Sequence, residues 1–249
     1  MNLPETHHSP LVVPEVDLRK RTLLLFLAAL PAACATSSIP SPKEKLVTGP
    51  AVMPGMRPPQ PGQEWVYTLT DVYSGQDRGV LTEKVVSVGD KIHIQRSSDI
   101  AGVLPDEIQG PWGMIEQDPH WSPVPIFTSP LPLWPQEMKP GWSRQFHDRY
   151  RVMNQSNFDY DWSLSMTVEG WEEITTPAGK FTALKFANKV NYQSNELVFR
   201  LTSERTETIW LVPEIGRWAI RRSEGSYLIE DRGGDIREDF LEWRLQSWK

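Results

Sequence analysis

A single cysteine, Cys34, in 249 residues leaves nothing to form an intrachain disulfide or a thiolate zinc site, so stability has to come from a packed core. Nor is there a basic stripe. With 26 Lys and Arg against 32 Asp and Glu the formal charge is −6, and phosphate-binding proteins concentrate the opposite sign, so nucleic acid is not an expected partner. Runs of apolar residues are short. The longest, Thr22 to Ala33, has twelve residues where a membrane span needs about 20. Gly-x-Ser-x-Gly, His-Glu-x-x-His, a phosphate-binding glycine loop and a calcium loop are all missing, and no stretch holds a helical period of useful length. What remains is a β-rich chain with no catalytic motif and no expected cofactor.

The first feature present is Arg19-Lys20-Arg21, then the apolar Leu23 to Leu30, then Pro31-Ala32-Ala33 directly before Cys34. Charge, short apolar core and small residues in that order form an export leader. The arrangement resembles the lipobox of bacterial lipoproteins, although Leu30 stands four residues before Cys34 and Pro31 occupies the usual place of Leu. The resemblance implies cleavage before Cys34, a diacylglycerol on its sulfur and a lipid-anchored chain whose first partner is a membrane. Ala35, where retention signals of the enterobacterial type carry Asp, points to the outer membrane, facing the periplasm. An ordinary secretory signal or an uncleaved anchor are the alternatives. Residues 1–33 remove three basic and three acidic residues, so the charge stays at −6. Met1 to Leu18 makes an unusually long extension before the leader and is set aside.

Residues 34–60 carry Pro40, Pro42, Pro50, Pro54, Pro58 and Pro59 and few large apolar side chains, which predicts an extended tether holding the domain clear of the membrane. From Pro61-Gly62 to residue 249 the pattern turns to apolar–polar alternation. Trp65, Tyr67 and Leu69 share one face, as do Trp162, Leu164, Met166 and Val168, then Leu184, Phe186 and Val190, then Leu241, Trp243 and Leu245. Hairpin turns are expected at Gly89-Asp90, at Pro177-Ala178-Gly179 and at Pro213 to Gly216. The fold class is therefore all-β: a strongly curved antiparallel sheet or half-barrel built of hairpins. Pro61-Gly62 before Trp65 and Pro140-Gly141 before Trp142 raise the option of two similar halves. Glu172 to Phe181, the strand after it, and Trp210 to Gly216 resemble a set of uncharacterised proteobacterial periplasmic and lipoprotein β domains. That likeness covers roughly residues 135–220 and implies a sheet related in shape to LolA-like half-barrels, with no catalytic residues to transfer.

Between the β segments, residues 105–140 hold nine prolines interleaved with Trp112, Trp121, Phe127 and Trp134. Proline interrupts ladder hydrogen bonds, so an irregular crossover is expected rather than a central strand. These four aromatics are the candidate contacts for a ligand or partner; the competing reading is a cap that fills the mouth of the sheet with its own tryptophans. His93, His120 and His147 are too scattered to suggest a metal site. Acid pairs such as Glu172-Glu173 and Asp239 with Glu242 are expected at solvated strand edges, and the run Glu230 to Glu238 at a polar hairpin tip. Three functions fit. The favoured one is a non-catalytic envelope lipoprotein binding a hydrophobic ligand or an envelope protein. The others are a hydrolase of cell-wall or lipid material, with carboxylates or His147 as base, and a structural part of an outer-membrane assembly.

Overall fold

The computed structural model describes residues 45–155, 158–193, 202–228 and 235–249. Cys34, the leader and residues 229–234, where the sequence places part of a polar hairpin tip, lie outside them. Thirteen strands follow in order: β1 (Lys45–Val47), β2 (Glu64–Asp71), β3 (Asp77–Val88), β4 (Ile92–Ser98), β5 (Gly102–Gln109), β6 (Met114–Gln117) and β7 (Pro125–Pro132). The remainder are β8 (Ser143–Val152), β9 (Tyr160–Thr176), β10 (Gly179–Tyr192), β11 (Thr202–Val212), β12 (Arg217–Leu228) and β13 (Asp235–Trp248), with a 3-10 turn at Pro213–Ile215. Each strand from β2 to β13 pairs antiparallel with its sequence neighbours, and β13 returns to β2 through pairs running from Leu241–Asp71 to Trp248–Trp65. The curvature expected from the sequence thus runs to closure, as a twelve-stranded up-and-down barrel. Gly62 and Gly141 share a positive φ, but the meander runs on without a seam between halves.

The expected hairpins fall in place. Gly89-Asp90 joins β3 to β4, Thr176 pairs Gly179 across Pro177-Ala178, and the Pro213 turn links β11 to β12. Two expectations need correction. Residues 105–140 are not one irregular crossover, because β5, β6 and β7 within them take their places in the ring. The prolines are tolerated where the ladder is already broken: Pro105 sits at the register shift of β4 with β5, and Pro125 and Pro132 sit at the two ends of β7. The tether is also shorter than expected. β1 pairs with the outer edge of β9 beyond its partnership with β8, and residues 48–57 then run along the barrel as a strap, where the Arg57 amide donates to the Pro213 carbonyl at 2.9 Å.

A twelve-stranded ring is wide, since eight strands already leave an interior that side chains only just fill. Here the space is occupied by large side chains: Trp65, Tyr67, Tyr150, Trp162, Trp218 and Trp243 project inward from the strands. The β6–β7 connection also folds inward and buries Asp118 and Trp121. The cavity left among Ile115, Trp121, Phe127 and Trp218 measures about 30 Å³, and a pocket of about 280 Å³ among Leu81, Arg96, Leu104, His120 and Trp243 opens toward the rim of the β4–β5 turn. At one end the 3-10 turn closes over the core, its Ile215 carbonyl accepting from Trp65 Nε1 at 2.9 Å and Gln63 Nε2 at 3.2 Å.

Gly216 ends that turn at φ +70°, and a Cβ there would lie 2.7 Å from the Arg57 carbonyl oxygen. Gly216→Ala combines left-handed strain with a clash against strap backbone, and should cost about 1–3 kcal/mol, read as a lower midpoint in urea unfolding.

Candidate functional site

Two features of the barrel stand out: a charged cluster inside it and an apolar groove on its rim. The cluster arises because several inward positions of the period-2 stripes are charged. Glu83 sits between Leu81 and Val85 on β3, Arg96 follows Ile92 and Ile94 on β4, and Glu107 lies on β5. From the far wall come Glu207 on β11 and Arg217 and Arg221 on β12, while the inward-folded connection adds Asp118 and His120.

Arg217, with no exposed surface, is the hub. Its Nη2 donates to Glu83 at 2.7 Å and to Glu107, its Nη1 donates to Glu107 at 2.8 Å, and its guanidinium lies 3.8 Å from the Trp218 ring centre. Arg96 Nε donates to the other Glu83 oxygen at 3.1 Å. Arg221 donates to Glu207 at 2.6 Å, and Glu207 also accepts from Asn188 at 3.1 Å. His120 stands between, Nε2 at 2.7 Å from Glu83 and Nδ1 at 2.8 Å from Asp118, with its ring edge-on to Trp218. Four carboxylates, Glu83, Glu107, Asp118 and Glu207, thus meet three guanidiniums and the His120 imidazole, whose two ring nitrogens both face carboxylate oxygens.

Burial alone would raise the Glu83 carboxyl, but Arg217, His120 and Arg96 outweigh it and hold it well below the usual carboxylate range. Burial likewise opposes ionisation of Asp118, and the bond and charge of His120 with the charge of Arg221 overcome it, so this carboxyl is also lowered. For Arg217 burial disfavours the charge, yet Glu107 and Glu83 push its pKa well above the ordinary arginine value. Glu83, Glu107 and His120 offer atoms within 4.8 Å of one another, a donor set of metal-binding type. The surroundings do not suit a cation, because both carboxylates already accept from Arg217 and an ion would be placed against that guanidinium. The cluster reads as an internally paired polar core.

The groove occupies the barrel end that carries the 3-10 turn and measures about 650 Å³. Met53 and Met56 of the strap form one wall, Trp112, Gly113 and Met114 the floor, and Trp134 to Lys139 the other wall. Trp112 meets Trp134 edge to face at 5.1 Å and donates its indole N–H to the Arg57 carbonyl at 3.0 Å, which fixes strap and floor together. Gly113 is needed at the floor: at φ +86°, a Cβ would fall 2.3 Å from Trp134 Cζ2. Its amide donates to Gln109 Oε1 at 2.7 Å, and Gln109 in turn donates to Glu107. The floor of the groove is therefore bonded to the interior cluster.

Of the four aromatics singled out in the sequence, Trp112 and Trp134 meet in this groove. Trp121 and Phe127 do not reach it; they pack on Trp162 inside the barrel at 4.7 Å and 5.0 Å. His93 and His147 lie on the outer wall, away from His120, and His147 faces Ser163 across the β8–β9 ladder. Glu172 and Glu242 are not solvated edge acids: Glu172 is buried and accepts from Trp210 at 2.8 Å, while Glu242 is held by Arg222 at 2.6 Å and Arg244 at 2.9 Å. Sequence reasoning missed the methionines, although four of the chain's seven line the groove and two of them stand only three residues apart at 53 and 56. It also missed the cluster, whose signal was a charge recurring on an otherwise apolar stripe.

No protein-family model and no curated protein matches the chain. Solved structures do. The chain is similar to a candidate exported protein with a YmcC-like fold from Bacteroides fragilis, at 14% identity and TM-score 0.53 over 79% of this chain and 100% of that one. It is also similar to a candidate lipoprotein from Parabacteroides distasonis, at 13% identity and TM-score 0.50 over 79% of this chain and 99% of that one. At such identities the likeness concerns the fold.

Removing Arg217 leaves Glu83 and Glu107 buried without their principal cation, so Arg217→Met should destabilise the barrel by about 3–5 kcal/mol in urea titration. The lowered carboxyls of Glu83 and Asp118 give an acid dependence. In acid the unfolded chain binds more protons than the folded one, so their stabilisation is complete above about pH 4.5 and is lost as the pH falls further. The melting temperature should drop between pH 5 and pH 3, with a shallower slope in Asp118→Asn.

Proposed function

We propose that this protein is a non-catalytic, lipid-anchored component of the cell envelope, held through Cys34 in the outer membrane on its periplasmic side, and that its rim groove binds an apolar ligand or an apolar part of an envelope protein. One observation carries the reading. The space left among the inner tryptophans is small and a pocket of about 280 Å³ at the other end is lined by Arg96 and His120, whereas this rim holds a larger apolar groove of about 650 Å³ with a floor bonded to the interior and methionine walls. Methionine adapts its shape at little cost, and Trp offers large rigid area, a combination suited to apolar partners of variable outline. The leader ending at Cys34 supports the anchor, as do the descriptions of the Parabacteroides and Bacteroides proteins as a lipoprotein and an exported protein.

A photo-crosslinking residue at Met53 or Met138 tests the groove in intact cells, with the outer-wall position Val86 as control. Both groove positions should yield the same adduct, identified by mass spectrometry, and Val86 should not. Identical adducts from all three positions, or none from the groove, would refute the reading. For the anchor, Cys34→Ser should move the protein from the membrane fraction to the soluble periplasm.

A further inference from the structure

We infer that the groove end of the barrel rests on the anchoring membrane and that the Met/Trp groove takes an acyl chain from that bilayer. This builds on the reading of Cys34 as acylated and of the groove as an apolar site. It follows from where the chain enters. Lys45, the first described residue, pairs with Glu173, three residues before β9 ends at Thr176, and β9 ends at the same rim as the β5–β6 and β7–β8 connections that build the groove. The strap leaving β1 then supplies Met53 and Met56 to the groove wall.

Ten residues, 35–44, separate Cys34 from Lys45, and two of them are prolines. Fully extended, that link spans about 35 Å. Strands of 12 to 14 residues such as β3 and β10, tilted as barrel strands are, make a wall of roughly 30 Å. Setting the opposite rim on the membrane would require the link to run back along the wall almost taut, at a large entropic cost, whereas the groove end is reached with slack. At the groove end, Trp112 is half-buried at the surface with its N–H already bonded, and Met53 is 49% exposed. Both are side chains that settle at the boundary between acyl chains and headgroups.

The full chain, purified with its anchor, would be reconstituted into vesicles of phosphatidylethanolamine and phosphatidylglycerol at three to one, the lipids tritiated in their acyl chains. Photo-crosslinking residues would be placed singly at Met53, at Met138, at Val86 on the wall and at Ile100, an exposed apolar residue on the opposite rim. Label transfer from the groove positions should exceed that from Val86 and Ile100 at least fivefold, and Met56→Asp should cut the transfer from Met138 at least threefold without changing the far-ultraviolet circular dichroism. Equal transfer from all positions, or more from Ile100, overturns the inference. A protein adduct from the groove in cells, with no lipid label in vesicles, would leave the binding function standing and sink only this assignment of its occupant. If the purified chain carries no acyl mass at Cys34, the anchor and this inference fail together.

Discussion

Arg217 holds the barrel together at its centre. Closing twelve strands into a ring encloses more volume than aliphatic side chains can fill, and the chain meets that demand with indoles and guanidiniums stacked on one another. An arginine supplies length and flat surface, but it brings a charge into a place water cannot reach. Glu83 and Glu107, fixed on β3 and β5 of the facing wall, answer that charge at hydrogen-bond distance. Because the partners come from β3, β5 and β12, the ion pairs tie together walls that share no backbone ladder.

That arrangement has a bearing on the rim. Glu107 engages Gln109, and Gln109 receives the amide of Gly113, so the groove floor inherits its position from the interior rather than from loop packing alone. The walls are built differently, from methionines on a strap and on a strand connection. A fixed floor with pliable walls suits an occupant that is apolar but not uniform in shape.

Period-2 stripes and Pro/Gly turns made most strands legible in the sequence, including β9, β10 and the links at Pro177 and Pro213. Curvature was harder to see. Alternation says which side of a strand faces the core but not how far the sheet bends, and nothing local announces that Trp248 will pair with Trp65. Prolines 105, 125 and 132 argued against strands because their fit depends on gaps in the partner's ladder. Glu83 and Arg96 stand on apolar stripes, a signal alternation does carry, but only tertiary structure shows which distant charges meet them. For the groove, Trp112 and Trp134 were found by their setting among prolines, while Met53 and Met56 were hidden in what composition marked as a spacer.

The seam between β13 and β2 joins the start of the barrel to its end, with Glu64 and Lys249 exchanging backbone hydrogen bonds in both directions. Contacts separated by about 180 residues are slow to form, because the intervening chain must be gathered first. Strands β2 to β12 can therefore make only an open sheet until β13 lies against β2, so closure of the ring is the step that joins the most distant parts of the barrel and encloses the buried charges.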